Sequence, residues 1–160
     1  MTEYATSAAA AADDFTTFMD RHKEQRAREE AVLSGNKAAI FDALATAGIS
    51  RVIIKYDGYG DSGQIENIDA CRGESETVPL PETEVMIASA SWGDPGIVAQ
   101  TMTLEAAIEQ MAYDLLSSTH GGWENNDGGY GEFSFDVQER VIDLDYNERF
   151  TSSEYSNHIF

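Results

Sequence analysis

The spacing of apolar side chains along the chain predicts three helices. In each helix the apolar positions recur three and four residues apart, as one face of an α-helix requires. These positions are Phe15, Phe18 and Met19; then Ile40, Phe41 and Leu44; then Leu104, Ala107, Ile108, Met111 and Leu115. The expected N-terminal caps are Asp13 or Asp14, Asn36 and Thr103. Ser34 and Gly35 are expected to separate the first helix from the second.

Strands are predicted where β-branched and aromatic residues alternate with polar ones. The predicted strands are residues 49–56, 64–71, 84–91, 97–102, 133–138 and 142–146. Ile65 and Ile68 break the strict alternation, which a β-bulge between them would repair. The strand at 84–91 is apolar on both faces, which is typical of a central strand. Residues 72–84 are predicted to form a loop, and residues 93–96 a turn.

The order of these elements, α-α-β-β-β-(β)-α-β-β, favours the α+β class. We expect an antiparallel sheet of about five strands with helices packed on one face. Residues 1–35 are interpreted as an N-terminal helical segment, residues 36–150 as a single α+β domain, and residues 151–160 as a polar tail.

Charge is the strongest global property of the sequence. Ten Lys and Arg stand against 29 Asp and Glu, which gives a formal net charge of −19 over 160 residues. The segment from Gly73 to Glu139 contains no Lys or Arg. A field of this sign repels nucleic acid and acidic membranes and attracts cations or basic protein surfaces. Solubility alone is the alternative explanation of the acidity.

Several function classes receive no support from the sequence. No apolar run is long enough to span a membrane, and no signal peptide is evident. The single cysteine, Cys71, fits a reducing cytoplasm. The sequence contains no phosphate-binding loop and no nucleophile elbow. Gly58, Gly60 and Gly63 have the spacing of a dinucleotide-binding motif, but they lie beside acidic residues and precede a strand rather than a helix, so we reject that interpretation. The pattern therefore favours a cytoplasmic binding protein over an enzyme and predicts no resident cofactor.

Two stretches combine glycine with aromatic and acidic residues, and they are the first place to look for function. They are GYGDSGQIE at residues 58–66 and HGGWENNDGGYGEF at residues 120–133. Hard divalent cations prefer several carboxylate and carbonyl oxygens on a bent backbone. If both stretches met at one end of the sheet, a divalent-metal site, structural or hydrolytic, could use Asp57, Asp61, Glu66, His120, Glu124 and Asp127. Simple turn formation is the alternative explanation for both stretches.

The same stretches and the following hairpin also suggest a protein-binding surface. Aromatic residues flank the glycines at Tyr56, Tyr59, Trp92, Trp123 and Tyr130. Aromatic side chains beside carboxylates suit an interface with a basic partner, although they could also close the ends of the core. The candidate binding residues are Tyr59, Asp61, Trp123, Glu124, Asp127, Tyr130, Asp136, Asp143 and Asp145. The expected partner is a basic protein surface, such as that of a nucleic-acid-binding protein.

In these two stretches, and in residues 144–149, the chain resembles a family of small acidic bacterial proteins of unknown function. The resemblance covers about residues 36–150. Members of that family are often found on plasmids, prophages and other mobile elements. The resemblance implies no catalytic residue. It does imply a context in which an acidic protein can inhibit a defence protein by imitating the charge of DNA.

Overall fold

The computed structural model describes residues 2–90, 97–125 and 127–160, with side chains at 14–89, 98–125 and 127–160. The predicted turn at residues 93–96, together with Trp92 and Asn126, lies outside the described residues. The protein is of the α+β class, as predicted. Its elements in chain order are α1 Thr2–Thr46, β1 Arg51–Tyr59, β2 Ser62–Arg72, β3 Glu76–Val78, β4 Glu84–Ala90, β5 Ile97–Thr103, α2 Leu104–Thr119, β6 Gly129–Asp136 and β7 Val141–Glu148.

Two sheets organise the strands. Five strands form an antiparallel sheet in the order β3-β2-β1-β6-β7, and β4 pairs with β5 in a separate two-stranded sheet. The five-stranded sheet confirms the predicted architecture. The chain divides into two compact units, residues 1–39 with 86–101 and residues 40–85 with 102–160.

The five-stranded sheet has one buried face. Along β1, residues Val52, Ile54 and Tyr56 are buried, and the residues between them are exposed or half-buried. Phe133 and Phe135 of β6 continue this buried face, and Phe41 at the C-terminal end of α1 contacts Phe135 at 5.8 Å between ring centroids. Burial of these side chains is the main source of stability in this unit.

α2 covers the same face, and its beginning agrees with the prediction. Thr103 is the N-cap and accepts a hydrogen bond from the Ala106 backbone N–H at 3.2 Å. The apolar face is completed by Leu116, which is buried, whereas the predicted Leu115 is only half-buried. The predicted β-bulge is also confirmed. Lys55 pairs with Asn67 but Tyr56 pairs with Ile65, so Glu66 is the extra residue.

The predicted break at Ser34 and Gly35 is wrong, because α1 is continuous from Thr2 to Thr46. An interior glycine costs a helix only about 1 kcal/mol, which packing elsewhere can offset. Asn36 is therefore not a cap but a buried residue of the helix. Its side-chain amide donates to the carbonyl of Ala88 at 2.9 Å and accepts from the N–H of Ala88 at 2.8 Å. α1 also begins before Asp13, within a sequence rich in alanine, the strongest helix former.

Two further predictions need correction. The strand at residues 84–90, expected to be central, is β4 of the two-stranded sheet, with Met86 exposed between the buried Val85 and Ile87. The predicted loop 72–84 contains the short edge strand β3.

Residues 151–160 have no regular structure and are exposed, and they carry apolar as well as polar side chains. No helix in the described part of the chain is long and apolar enough to cross a membrane.

Candidate functional site

The two glycine-rich stretches meet at one end of the five-stranded sheet. β1 and β2 are joined there by a two-residue turn, Gly60 and Asp61, in which both residues have positive φ. Such a turn matches the twist of paired strands. The indole of Trp123 lies against this hairpin, where a Cβ atom at Gly58 would be 2.7 Å from the ring and one at Gly63 only 2.5 Å. The glycines therefore let the hairpin and the indole approach each other.

Trp123 belongs to the core of this unit. Its side chain is 6% exposed, and its ring meets Tyr56 edge-on at 5.7 Å and stacks on Tyr113 at 6.3 Å. The hydroxyl of Tyr113 accepts a hydrogen bond from the backbone N–H of Ile65 at 3.0 Å, next to the bulge. Such aromatic contacts stabilise a fold beyond the area they bury. Trp123 thus closes the end of the core and leaves little of its own surface for a partner.

The second stretch is fixed to the hairpin by backbone contacts. Gly128 has a φ of 76°, and a side chain there would overlap the carbonyl of Gly58. Its own carbonyl accepts from the backbone N–H of Arg149 at 2.9 Å. The hydroxyl of Thr151 donates to Asp127 at 2.7 Å. The glycine at position 128 is therefore required by close approach of two backbones as well as by its φ.

The acidic residues proposed as metal ligands have other roles or stand apart. Asp57 accepts a hydrogen bond from Arg149 at 2.7 Å, and Asp127 is held by Thr151. Asp61 is exposed in the β1–β2 turn, and the ring of His120 stacks on Tyr146 at 3.7 Å. Among the described residues, no group of three or more His, Cys, Asp and Glu side chains could hold a metal ion. The metal-site hypothesis therefore gains no support from the meeting of the two stretches.

The second face of the five-stranded sheet is acidic, and none of its side chains is buried. We call it the open face. Its charged residues are Asp57, Glu66, Asp69, Glu132, Asp136, Asp143 and Asp145, with Arg51 and Lys55 as the basic members. The alternation of β1, β6 and β7 produces this face, because Phe133, Phe135 and their neighbours point to the core. It joins residues that are 90 positions apart in the sequence into one charged surface.

Like charges lie directly opposite one another on the open face. Glu132 of β6 pairs with Asp145 of β7 on one side and with Lys55 of β1 on the other. Lys55 is thus the one basic side chain in a row with Glu132 and Asp145. Asp143 lies next to Asp145 along the same face of β7. Carboxylates directly opposite each other destabilise a sheet. The open face is consequently an electrostatic cost to folding.

A shallow depression of about 420 Å³ lies within the open face. Its lining comprises Lys55, Tyr56, Asp57, Glu66, Tyr130, Gly131, Glu132, Asp145 and Asn147. At its edge the guanidinium of Arg149 lies 4.4 Å from the centre of the Tyr130 ring and bonds to Asp57. The hydrogen bond with Asp57 raises the pKa of Arg149. An arginine therefore already occupies one carboxylate and one aromatic ring at this edge.

Tyr56 connects the core to the acidic strand β7. Its hydroxyl donates to the backbone carbonyl of Asp145 at 2.7 Å. Burial, and then the negative groups of Tyr146 and Asp145, raise the pKa of Tyr56 above its ordinary value. The neutral phenol is thus the form that the fold requires.

The structure separates the sequence-based binding candidates into groups. Asp143 and Asp145 are exposed and lie together with half-buried Asp136 on the open face, and Tyr130 lies beside them. Tyr59 is 66% exposed next to the β1–β2 turn. Trp123 is in the core, Glu124 is half-buried beside it, and Asp61 and Asp127 lie in turns. Asp136 also accepts from the backbone N–H of Glu139 at 3.1 Å, which helps to form the β6–β7 turn.

Sequence reasoning missed several members of the open face. Glu132 was assigned to a glycine-rich turn, although its alternation with Phe133 and Phe135 would have placed it beside Ser134 and Asp136. Asp69 could have been assigned in the same way from the pairing of β1 with β2. The ion pair between Asp57 and Arg149 joins residues 92 positions apart, and no local signal in the sequence indicates it.

A comparison with known protein families gives one match. The profile of a family of unknown function (DUF6878) matches residues 32–160. No curated protein and no solved structure matches the chain.

Proposed function

The chain belongs to the DUF6878 family of unknown function, and we propose that it is an acidic interaction protein that binds a basic protein surface through its open face. The observation that carries this proposal is the arrangement of carboxylates on a sheet face on which no described side chain is buried. The alternative of a divalent-metal protein is favoured by no specific observation.

The energetics of the open face support the proposal. Placing Glu132 opposite Asp145 costs stability, and that cost disappears when a cation approaches both carboxylates. Neutral polar residues at these positions would keep the strands soluble without the repulsion. A surface that destabilises the free protein and is relieved by a basic partner is typical of a binding site, since function often conflicts with stability.

The depression suggests how a partner makes contact. Its carboxylates, Glu66, Glu132 and Asp145, surround a shallow space beside Tyr130. An arginine side chain can bond to a carboxylate with two donors and stack on an aromatic ring. Arg149 makes one hydrogen bond to a carboxylate and lies over an aromatic ring at the edge of the depression, so similar chemistry is available to an arginine from another protein.

The spacing of the carboxylates favours a partner that ordinarily binds nucleic acid. Alternate residues such as Asp143 and Asp145 lie about 7 Å apart along a strand, which is comparable to the separation of successive phosphates in DNA. A row of this kind presents regularly spaced negative charge to a surface built for phosphates. If the partner is a defence protein that binds DNA, the chain acts as its inhibitor. That context is the finer part of the proposal and rests on the resemblance noted in the sequence.

The experiment compares two variants with the same net charge. The first carries Glu132→Gln, Asp143→Asn and Asp145→Asn on the open face. The control carries Glu74→Gln, Glu82→Gln and Glu154→Gln, which are exposed positions outside the five-stranded sheet. Each variant and the wild-type chain is immobilised and used to capture proteins from bacterial lysate at increasing salt, with duplex DNA as a competitor.

The proposal predicts a protein that the wild type and the control capture and the open-face variant does not. Its retention should fall steeply as salt increases, because exposed charges are screened. Displacement by duplex DNA supports the DNA-mimic form, whereas retention despite DNA restricts the proposal to a basic surface of another kind. Equal loss in both variants, or capture that salt does not weaken, contradicts the open face as the binding site.

A further inference from the structure

An exposed apolar patch lies on the N-terminal half of α1. Phe15, Phe18 and Met19 are 65%, 53% and 43% exposed, and they lie three and four residues apart on one face of the helix. The ring of Phe18 contacts His22 at 4.8 Å, which orders the patch along the helix. Three large apolar side chains side by side on a water-exposed helix face indicate an interaction surface.

The patch continues a helix face that is partly covered further along α1. Counting alternately three and four residues from Phe15 gives Phe18, His22, Gln25, Glu29, Val32 and Asn36. Gln25 and Asn36 of this series are buried, at 2% and 8% exposure, Val32 is half-buried and Glu29 is exposed. The series has the spacing of the seven-residue repeat by which two helices pair, and its apolar members are Phe15, Phe18 and Val32. The buried member nearest to the N-terminus is Gln25, and the patch at residues 15–19 is the exposed end of the series.

The balance of charge around the patch fits a second copy of this chain as the partner. Residues 14–30 contain four basic and five acidic side chains, a net charge of −1, whereas the whole chain carries −19. Two copies repel one another strongly wherever their acidic surfaces approach. The patch lies in a segment of nearly balanced charge, where positive side chains of one copy can meet negative side chains of the other.

We propose that α1 pairs with α1 of a second copy in an antiparallel arrangement centred between residues 16 and 17. In this register Phe15 of each copy lies opposite Phe18 of the other, so the aromatic rings form the centre. Asp14 then flanks the centre opposite Arg21 of the other copy, twice by symmetry. A parallel pair would instead set Arg21 beside Arg26 of the other copy, and like charges there oppose pairing. Charge thus selects the antiparallel direction.

The pairing of two α1 helices does not involve the open face. Salt should affect it in the opposite direction from the binding of a basic partner to the open face. The apolar centre is short, so we expect a dimer that forms at micromolar concentrations. Salt screens the repulsion between two chains of high negative charge, and therefore strengthens the dimer. Binding of a basic partner to the open face weakens under the same conditions, so failure of one proposal can be told from failure of the other.

Sedimentation equilibrium of the full chain, from low micromolar to near-millimolar concentration, measures the dimer. Phe18→Glu should weaken dimerisation by more than about a hundredfold, because it places a charge in the apolar centre. Leu33→Glu is the matched control, since Leu33 is an exposed apolar residue of the same helix outside the patch. This control should leave the dimer unchanged. A wild-type chain that stays monomeric throughout, or equal effects of both substitutions, would overturn the proposal.

Charge reversal tests the direction of pairing. Arg21→Glu places two acidic residues opposite each other and should weaken an antiparallel dimer about fivefold at low salt. Adding Asp14→Arg to the same chain should restore it. In a parallel dimer Arg21→Glu would strengthen association, because it would then face Arg26. Strengthening by Arg21→Glu therefore overturns the antiparallel register.

Discussion

One face of the five-stranded sheet is packed under α2, the end of α1 and the indole of Trp123, whereas the other face is rich in carboxylates and buries none of its side chains. Both faces arise from the same strands, because successive side chains alternate between them. On the packed face, size and shape determine which residue fits at each position. On the open face, neither burial nor packing requires an acidic residue. The packed face therefore accounts for stability, and the open face is where selection for binding can act.

The largest effect is expected from removing the indole that closes the packed face. Trp123→Ala should lower the free energy of unfolding by about 4 kcal/mol, since it leaves a cavity against Tyr56 and Tyr113. Urea denaturation measures the change. Tyr59→Ala is the control, because this exposed aromatic at the same hairpin should change stability by less than about 0.5 kcal/mol. Similar losses in both variants would mean that Trp123 has no special role in the core.

A smaller effect is expected from filling the space beneath the indole. Gly63→Ala should cost about 2 kcal/mol, because the added Cβ atom would lie 2.5 Å from the Trp123 ring. Gly121→Ala, whose Cβ atom would meet only the Ser117 carbonyl at 3.5 Å, is the matched control and should be nearly neutral. Thermal melts of both variants provide the comparison. A stable Gly63→Ala variant would argue against close packing of the hairpin on Trp123.

Loss of the Tyr56 hydroxyl should cost about 1 kcal/mol at neutral pH, because the carbonyl of Asp145 loses its donor. The pKa of Tyr56 is higher in the folded state than its unfolded value of about 10, so the folded state holds the proton more tightly. The contribution of the protonated Tyr56 hydroxyl to the free energy of unfolding is therefore present below about pH 10 and is lost as the pH rises beyond that.

Urea denaturation of Tyr56→Phe and of the wild type, between neutral and strongly alkaline pH, tests this prediction. The wild type should lose stability more steeply above about pH 10 than the variant. Tyr146, whose pKa is also raised by burial and then by Glu148 and Glu124, should leave a residual slope in the variant. Parallel curves for the two proteins would show that Tyr56 does not titrate differently in the folded state.

The contrast between the two faces also explains what the sequence could predict. The alternation through Phe133 and Phe135, the helix after Thr103 and the bulge near Ile65 are local signals, and the structure confirms them. The helix break at Gly35 failed because packing of Asn36 against Ala88 is a long-range contact that local propensity does not contain. The prediction that β4 is a central strand failed for a similar reason. Apolar residues indicate that a strand is buried, but they do not indicate which strands pair with it.

For the candidate site, local reasoning found the residues but not their roles. It identified the acidic residues Asp143 and Asp145 from the polar side of the last hairpin. It grouped Trp123 with the binding aromatics because the sequence cannot reveal that Gly58 and Gly63 leave room for an indole. It assigned Asp57 to a metal site because Arg149, its partner, lies far away along the chain.

The most direct test of the contrast is the stability of the open-face variant Glu132→Gln, Asp143→Asn and Asp145→Asn, measured by urea denaturation at low and high salt. We predict that its free energy of unfolding at low salt exceeds that of the wild type by about 0.5 kcal/mol, because repulsion across the face is removed. The gain should shrink at high salt. A variant less stable than the wild type at both salt concentrations would mean that these carboxylates help to hold the fold, which contradicts the central claim.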